Sequence, residues 1–127
     1  MPSLLLALLL SHSAEAKELG LSGEHIKEKI ESHSDAIRDC YIEGIKRNPK
    51  LQGDLKMQIE IDPTGKVVKT LVDSSTVDDS ELESCISKLL MTVEFDEPKG
   101  KIRVQAYYPF HFHQTNANQA KPQPNNK

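Results

Sequence analysis

The sequence lacks most of the features that announce a chemistry. It has no block of basic charge: 16 Lys and Arg against 19 Asp and Glu leave a formal net charge of -3, spread along 127 residues. A nucleic-acid partner therefore gets no electrostatic support, because phosphate binding draws on clustered cations. No apolar run approaches the roughly 20 residues that a membrane-spanning helix needs. There is no Cys-x-x-Cys pair for thioredoxin-like exchange and no serine in a nucleophile elbow for acyl transfer. The six glycines are scattered rather than gathered into a phosphate-cradling loop. With no cofactor motif and no catalytic constellation, the residues point towards a non-enzymatic, protein-binding role.

At this length the chain builds one hydrophobic core and not two ordinary domains. Its first residues are expected to stand apart from that core. Leu4 to Leu10 is a short apolar run with one alanine, Ser11, His12 and Ser13 are polar, and Ala14-Glu15-Ala16 has a small-x-small ending. That order reads as a signal peptide over 1-16, with the mature chain starting at Lys17 and a lead-in over 17-22. No Lys or Arg precedes the run, so either export tolerates the missing positive n-region or the leader is truncated. The other reading is an apolar helix docked on the domain. Export places the chain in the periplasm or outside the cell, a setting in which the even cysteine count favours a structural disulfide. Two free buried thiols are the alternative.

The domain proper is expected over 23-113. From Glu24 to Arg47, Ile26, Ile30, Ile37, Tyr41 and Ile45 recur at helical spacing, with His33 or Ser34 filling the gap. Ser22 can cap this helix, and Leu21 with Ile26 can staple it. Lys46 and Arg47 suit its C-terminal dipole, Asn48 can turn left-handed, and Pro49 stops it. From Asp54 to Ile61 the pattern changes to strict alternation, with Leu55, Met57, Ile59 and Ile61 on one face of a strand. Asp62-Pro63-Thr64-Gly65 predicts a type I turn with a glycine bulge, returning the chain as a hairpin. The return strand, Lys66 to Asp73, is apolar on both faces in part and is expected to be central.

After a loop from Ser74, Asp78 and Glu81 have the spacing of a capping box for a second helix. It carries Leu82, Cys85, Ile86, Leu89 and Val93 and ends near Thr92 or Val93. A last strand is expected from Lys101 to His113, followed by a disordered tail over 114-127 that lacks large apolar residues. The fold class expected is α+β: helix, β-hairpin, helix, strand, with both helices on one face of a three-stranded antiparallel sheet. Cys40 and Cys85 each fall on the inward face of their helix, so a bridge between them would clamp the two helices together.

Cys40-Tyr41, then Asn48-Pro49-Lys50-Leu51-Gln52-Gly53, Asp62-Pro63-Thr64-Gly65-Lys66-Val67, Leu82 to Cys85-Ile86, and Tyr108-Pro109-Phe110-His111-Phe112 form a series. Over about Ile26 to Phe112 it resembles the AgmX/PglI-type C-terminal domain of the TonB C-terminal-like superfamily. Phe95-Asp96 stands where that group usually has Phe-Pro. The resemblance implies the fold, an envelope location in a Gram-negative bacterium, and binding of an envelope or outer-membrane protein. It also implies strand addition by a partner peptide along Arg103, Val104, Gln105, Ala106, Tyr107 and Tyr108.

The residues themselves bear on that last strand. Pro109 has no N-H to donate, so the strand is expected at a sheet edge or to leave the sheet there. Its aromatic residues either template a partner strand or are core, with Pro109 simply blunting the edge. A competing function is a secreted, disulfide-stabilised inhibitor or structural accessory protein acting through a loop such as Ser74 to Asp79. His111-x-His113 puts two imidazoles on one strand face, and His25 and His33 lie about two helical turns apart; neither pair completes a metal site, so no metal is expected.

Overall fold

A computed structural model describes residues 19–114 of the chain. The expected signal peptide, and all of the expected tail beyond Gln114, lie outside the described residues. The first helix, α1 (Gly23–Glu31), starts as its sequence dictates: Ser22 Oγ accepts the His25 N–H at 3.0 Å, and Leu21 packs on the core. The amphipathic stretch does not continue as one helix to Arg47. It breaks at Ser32-His33, and a second helix, α2 (Ser34–Arg47), follows. The Ser32 hydroxyl donates to the Lys29 carbonyl at 2.6 Å, and the His33 N–H closes a tight turn on the Ile30 carbonyl at 2.9 Å. A side chain that competes for helix carbonyls ends the ladder there. The missing apolar residue at 33 or 34 was the trace of this break. At the far end Asn48 is extended rather than left-handed (φ -142°), and its Oδ1 accepts the Lys50 N–H.

Three strands follow: β1 (Gly53–Ile61), β2 (Val67–Ser75) and, after the last helix, β3 (Val104–Phe112). The sheet is antiparallel with order β2-β1-β3. The central strand is therefore β1, not the return strand β2. The reason lies in burial: Leu55, Met57, Ile59 and Ile61 are all fully buried, whereas Val68, Leu71 and Val72 of β2 are each more than 40% exposed. Two register shifts in the β1–β2 ladder rotate β2 locally, so apolar residues on both its faces mark bulges rather than double burial. The turn between them is as expected. Asp62 Oδ1 accepts the Thr64 and Lys66 amides and the Thr64 hydroxyl, and Gly65 has φ +98°. Those bonds, first the one from the Thr64 hydroxyl, hold the exposed Asp62 carboxyl below its ordinary range.

The third helix, α3 (Ser80–Leu90), is capped one residue later than the sequence suggested. Asp79 Oδ1 accepts the Leu82 N–H at 2.9 Å, while Asp78 occupies a left-handed conformation (φ +54°) before the helix begins. The helix stops at Leu90, before Thr92. The connection to β3 is more structured than a plain turn: Phe95 is buried, and Glu94 and Lys99 form isolated bridges with Lys66 and Gly20. A turn from Pro98 to Lys101, the latter at φ +50°, reverses the chain, so β3 begins at Val104 rather than Lys101.

All three helices pack against one face of the sheet, and the buried set among the described residues contains no polar or charged side chain. Its centre is Ile30 from α1, Leu55, Met57, Ile59 and Ile61 from β1, and Leu82 and Ile86 from α3. Cys40 on α2 and Cys85 on α3 form a disulfide across the helix layer, with Cα atoms 5.8 Å apart.

Candidate functional site

The strand nominated by the sequence is at an edge. β3 pairs with β1 from Val104 opposite Ile61 to Phe112 opposite Gly53 without a register shift, and no described strand lies on its other side. Pro109 sits inside this ladder opposite Lys56. It does not leave the sheet. An unbroken ladder requires its nitrogen to face away from β1, because a proline has nothing to donate there. Backbone groups alternate along a strand, so the N–H groups of Gln105, Tyr107 and His111 also face the open side. Those of Val104, Ala106 and Tyr108 face β1.

Side chains alternate in the other direction. Val104, Ala106 and Tyr108 turn to the helix side and are partly buried, and Phe110 and Phe112 complete that row in the core. Burial pushes the Tyr108 phenol above its ordinary pKa, with a smaller push from the Glu31 carboxylate. On the helix-free face Tyr107 is 48% exposed. Gln105 Nε2 donates to its hydroxyl at 3.0 Å, and Lys56 Nζ lies 5.9 Å from its ring centroid. Arg103, one residue before β3, reaches Glu60 at 3.5 Å. Thus Val104 to Tyr108 form one continuous edge segment with Arg103 at its head. The aromatic residues divide: Phe110 and Phe112 are core, Tyr107 is surface, and Tyr108 lies between.

The sheet's two edges differ in kind. β2 carries both register shifts, a device that twists an edge away from pairing. It is also tied to α3 by a Thr70–Ser87 hydroxyl pair and by the Ser75 hydroxyl donating to Glu83. β3 has no bulge, and Pro109 is its one interruption.

The loop considered as an alternative surface is held down. Ser74 and Ser75 end β2. Thr76 exchanges bonds with Asp54, its amide donating to the Asp54 carbonyl at 2.8 Å and its Oγ1 accepting the Asp54 amide at 2.9 Å. Val77 is buried, and Asp79 meets Arg47 at 2.8 Å. Burial alone would push the Asp79 carboxyl up, but the Leu82 amide and Arg47 outweigh it and hold the group below its ordinary value. Thr76 and Asp78 remain exposed at the tip.

The histidines are not brought together as ligands. His111 Nδ1 pairs with Asp54 Oδ1 at 2.9 Å, and His33 Nδ1 approaches the Lys29 carbonyl at 3.2 Å. His25 Nε2 accepts the Asp96 amide at 3.2 Å. Among the described residues no group of three His, Cys, Asp or Glu could hold a metal. Sequence reasoning missed a shallow cleft of about 270 Å³ between the lead-in and the Asp96–Lys99 segment, lined by Leu19, Leu21 and His25. Its signal was the leucine pair in the lead-in. That reasoning assigned Arg47 only to the helix dipole, whereas Arg47 also ties α2 to the start of α3 through Asp79 and Glu81.

No described helix is long and apolar enough to cross a membrane. No protein-family model matches the chain, and no curated protein or solved structure matches it either.

Proposed function

We propose that this chain is a non-catalytic accessory or inhibitory domain of an oxidising, extracytoplasmic compartment, acting by binding another protein. The observation that carries the reading is the disulfide between Cys40 and Cys85, which clamps two helices over a wholly apolar interior. Small exported domains use such bridges to compensate for a small core. Among the described residues no polar side chain is buried, which supports a scaffold that works through its surface.

A second reading, strand addition on an envelope protein of a Gram-negative bacterium, is favoured by the unbulged β3 edge and by the TonB-like sequence pattern. The two differ in the surface used, and proline substitution separates them. Val104 is the wrong place for it, since its N–H faces β1 and its loss would damage the sheet. Gln105→Pro and Tyr107→Pro remove outward donors and leave the β1 ladder intact, and each also loses the Gln105–Tyr107 side-chain bond on the same edge. Crosslinking of the protein into an envelope extract is compared for these variants and for Thr76→Lys/Asp78→Lys at the loop tip. A partner lost with the prolines and kept with the loop changes assigns the edge; the reverse assigns the loop. Absence of any specific crosslinked partner would remove the protein-binding reading altogether.

A further inference from the structure

The segment between α3 and β3 is anchored on both sides of a short exposed tip. Phe95 is 6% exposed, and its amide donates to the Gly65 carbonyl at 3.0 Å. Pro98 is buried, and Lys99 exchanges two backbone hydrogen bonds of 2.9 Å with Gly20. Asp96 and Glu97 lie between these anchors, both exposed. There the backbone takes a side chain as its partner: the Asp96 amide donates to His25 Nε2 at 3.2 Å. Imidazoles are the side chains that change charge near neutral pH.

A backbone N–H only donates, so this contact settles the state of the ring. Nε2 carries no proton, and the proton of the neutral imidazole sits on Nδ1. The side chain is 19% exposed, and its ring centroid lies 6.0 Å from that of Phe95. Nδ1 is 3.8 Å from Asp96 Oδ2, too far for a hydrogen bond but close enough for opposite charges to attract. In an imidazolium both nitrogens donate. Nε2–H and the Asp96 N–H would then point at each other, while the Asp96 carboxylate lies within reach of the new charge. The other charged groups around the ring are Lys29 on α1, 4.0 Å from Asp96 Oδ1, and Glu97 and Lys99 on the wall of the cleft. Residues 19–22 of the lead-in, which complete the cleft, bring no charge. Lys29 competes for the carboxylate, but an ammonium offers the Asp96 amide no acceptor.

We infer that His25 is a pH-operated latch on the Asp96-Glu97 tip. Neutral, it holds the Asp96 amide; protonated, it releases that amide and takes the Asp96 carboxylate instead. The exchange reshapes one wall of the cleft and adds a positive charge to it. Phe95 and Pro98 stay buried, so the movement is confined to the tip. The latch is independent of which surface of the domain binds a partner.

Nuclear magnetic resonance of the full 1-127 chain tests this. At about pH 8 the His25 ring shifts should report the Nδ1–H tautomer. Across the His25 titration the protection of the Asp96 amide from exchange, corrected for the intrinsic effect of pH, should fall about fivefold, the scale of one net hydrogen bond. The Phe95 and Lys99 amides should keep their protection and so report an intact fold. His25→Gln offers the amide an uncharged carbonyl, and its Asp96 protection should show no such step. An Nε2–H tautomer at about pH 8 would overturn the inference, as would Asp96 protection that does not follow the His25 titration. A step of the same size in His25→Gln would overturn it too, because another group would then be its source.

Discussion

Removal of the Cys40–Cys85 bridge is the perturbation whose size can be worked out most directly. The two residues are 45 apart in sequence. In the chain-entropy model, opening a loop of that length restores enough freedom to the unfolded chain to destabilise the fold by about 4 kcal/mol. A domain of this size has about 5–15 kcal/mol in total, so the bridge is a large share. Alanine is the right replacement at both sites. Cys40 is only 5% exposed, and serine there would bury a hydroxyl and add a separate penalty. With a urea m-value of about 2 kcal/mol/M, the midpoint of Cys40→Ala/Cys85→Ala should fall by about 2 M. Arg47, bonded to Asp79 and Glu81, becomes the main remaining tie between α2 and the start of α3. Arg47→Ala should then cost about 0.5 kcal/mol more without the bridge than with it. A midpoint shift under about 0.5 M would refute the entropy argument. Two titratable thiols in denatured, unreduced protein would remove its premise.

Other expectations follow from single positions. Gly65→Ala combines φ +98° with overlap of the new methyl on the Phe95 carbonyl oxygen, and urea unfolding should show a loss of at least about 2 kcal/mol. Asp79→Ala removes a helix cap and should cost about 1 kcal/mol, with Asp79→Asn recovering most of it. The folded Asp79 carboxyl is held below its ordinary value, so the unfolded chain binds its proton first as the pH falls. The stability it contributes is present above about pH 4 and lost as the pH falls through the folded value. Wild type should therefore lose more stability than Asp79→Asn on acidification from pH 5 to pH 3, and equal losses would contradict the assignment. Tyr41 donates to the Leu51 carbonyl at 2.6 Å and, like Tyr108, has its phenol pushed up by burial. An absorbance titration should show the Tyr41 and Tyr108 phenols ionising above the ordinary value of about 10, and Tyr41→Phe should remove one of these two late steps.

Much of this fold was legible because the informative signals were local. The alternation of Leu55 to Ile61, the Asp62 to Gly65 turn, the Ser22 cap and the inward cysteines each depend on neighbours in sequence, and each takes the expected form. What was not legible depended on competition between distant or alternative partners. Helix periodicity across 26 to 45 showed only a missing apolar residue at 33 or 34, not that the Ser32 hydroxyl would take the Lys29 carbonyl and end α1. The apolar run at Val67 to Val72 suggested a central strand, because bulges leave no mark in a hydropathy pattern. The Asp78–Glu81 spacing suggested the wrong cap, because it carried no sign that Asp78 would be left-handed and leave the cap to Asp79. Pro109 was the best signal for the candidate edge, since a missing donor constrains position whatever the rest of the chain does. Which donors the edge leaves free could be read only from the register.

That register limits what the edge can do alone. Between Val104 and Pro109 the outward groups are the N–H and C=O of Gln105 and Tyr107 and the carbonyl of Pro109, about five ladder bonds for an added strand. At about 1 kcal/mol net each, they supply about 5 kcal/mol, a dissociation constant of about 0.2 mM before ordering costs. Backbone pairing here is too weak to hold a partner on its own. A tight complex must draw on side chains, and Tyr107 is the one large exposed aromatic placed to serve. The edge and loop readings then predict different affinities as well as different surfaces. Docking through β3 alone would be transient and governed by Tyr107, so Tyr107→Ala should weaken it by more than about 1 kcal/mol. A long-lived complex insensitive to that change would have to be built elsewhere on the molecule.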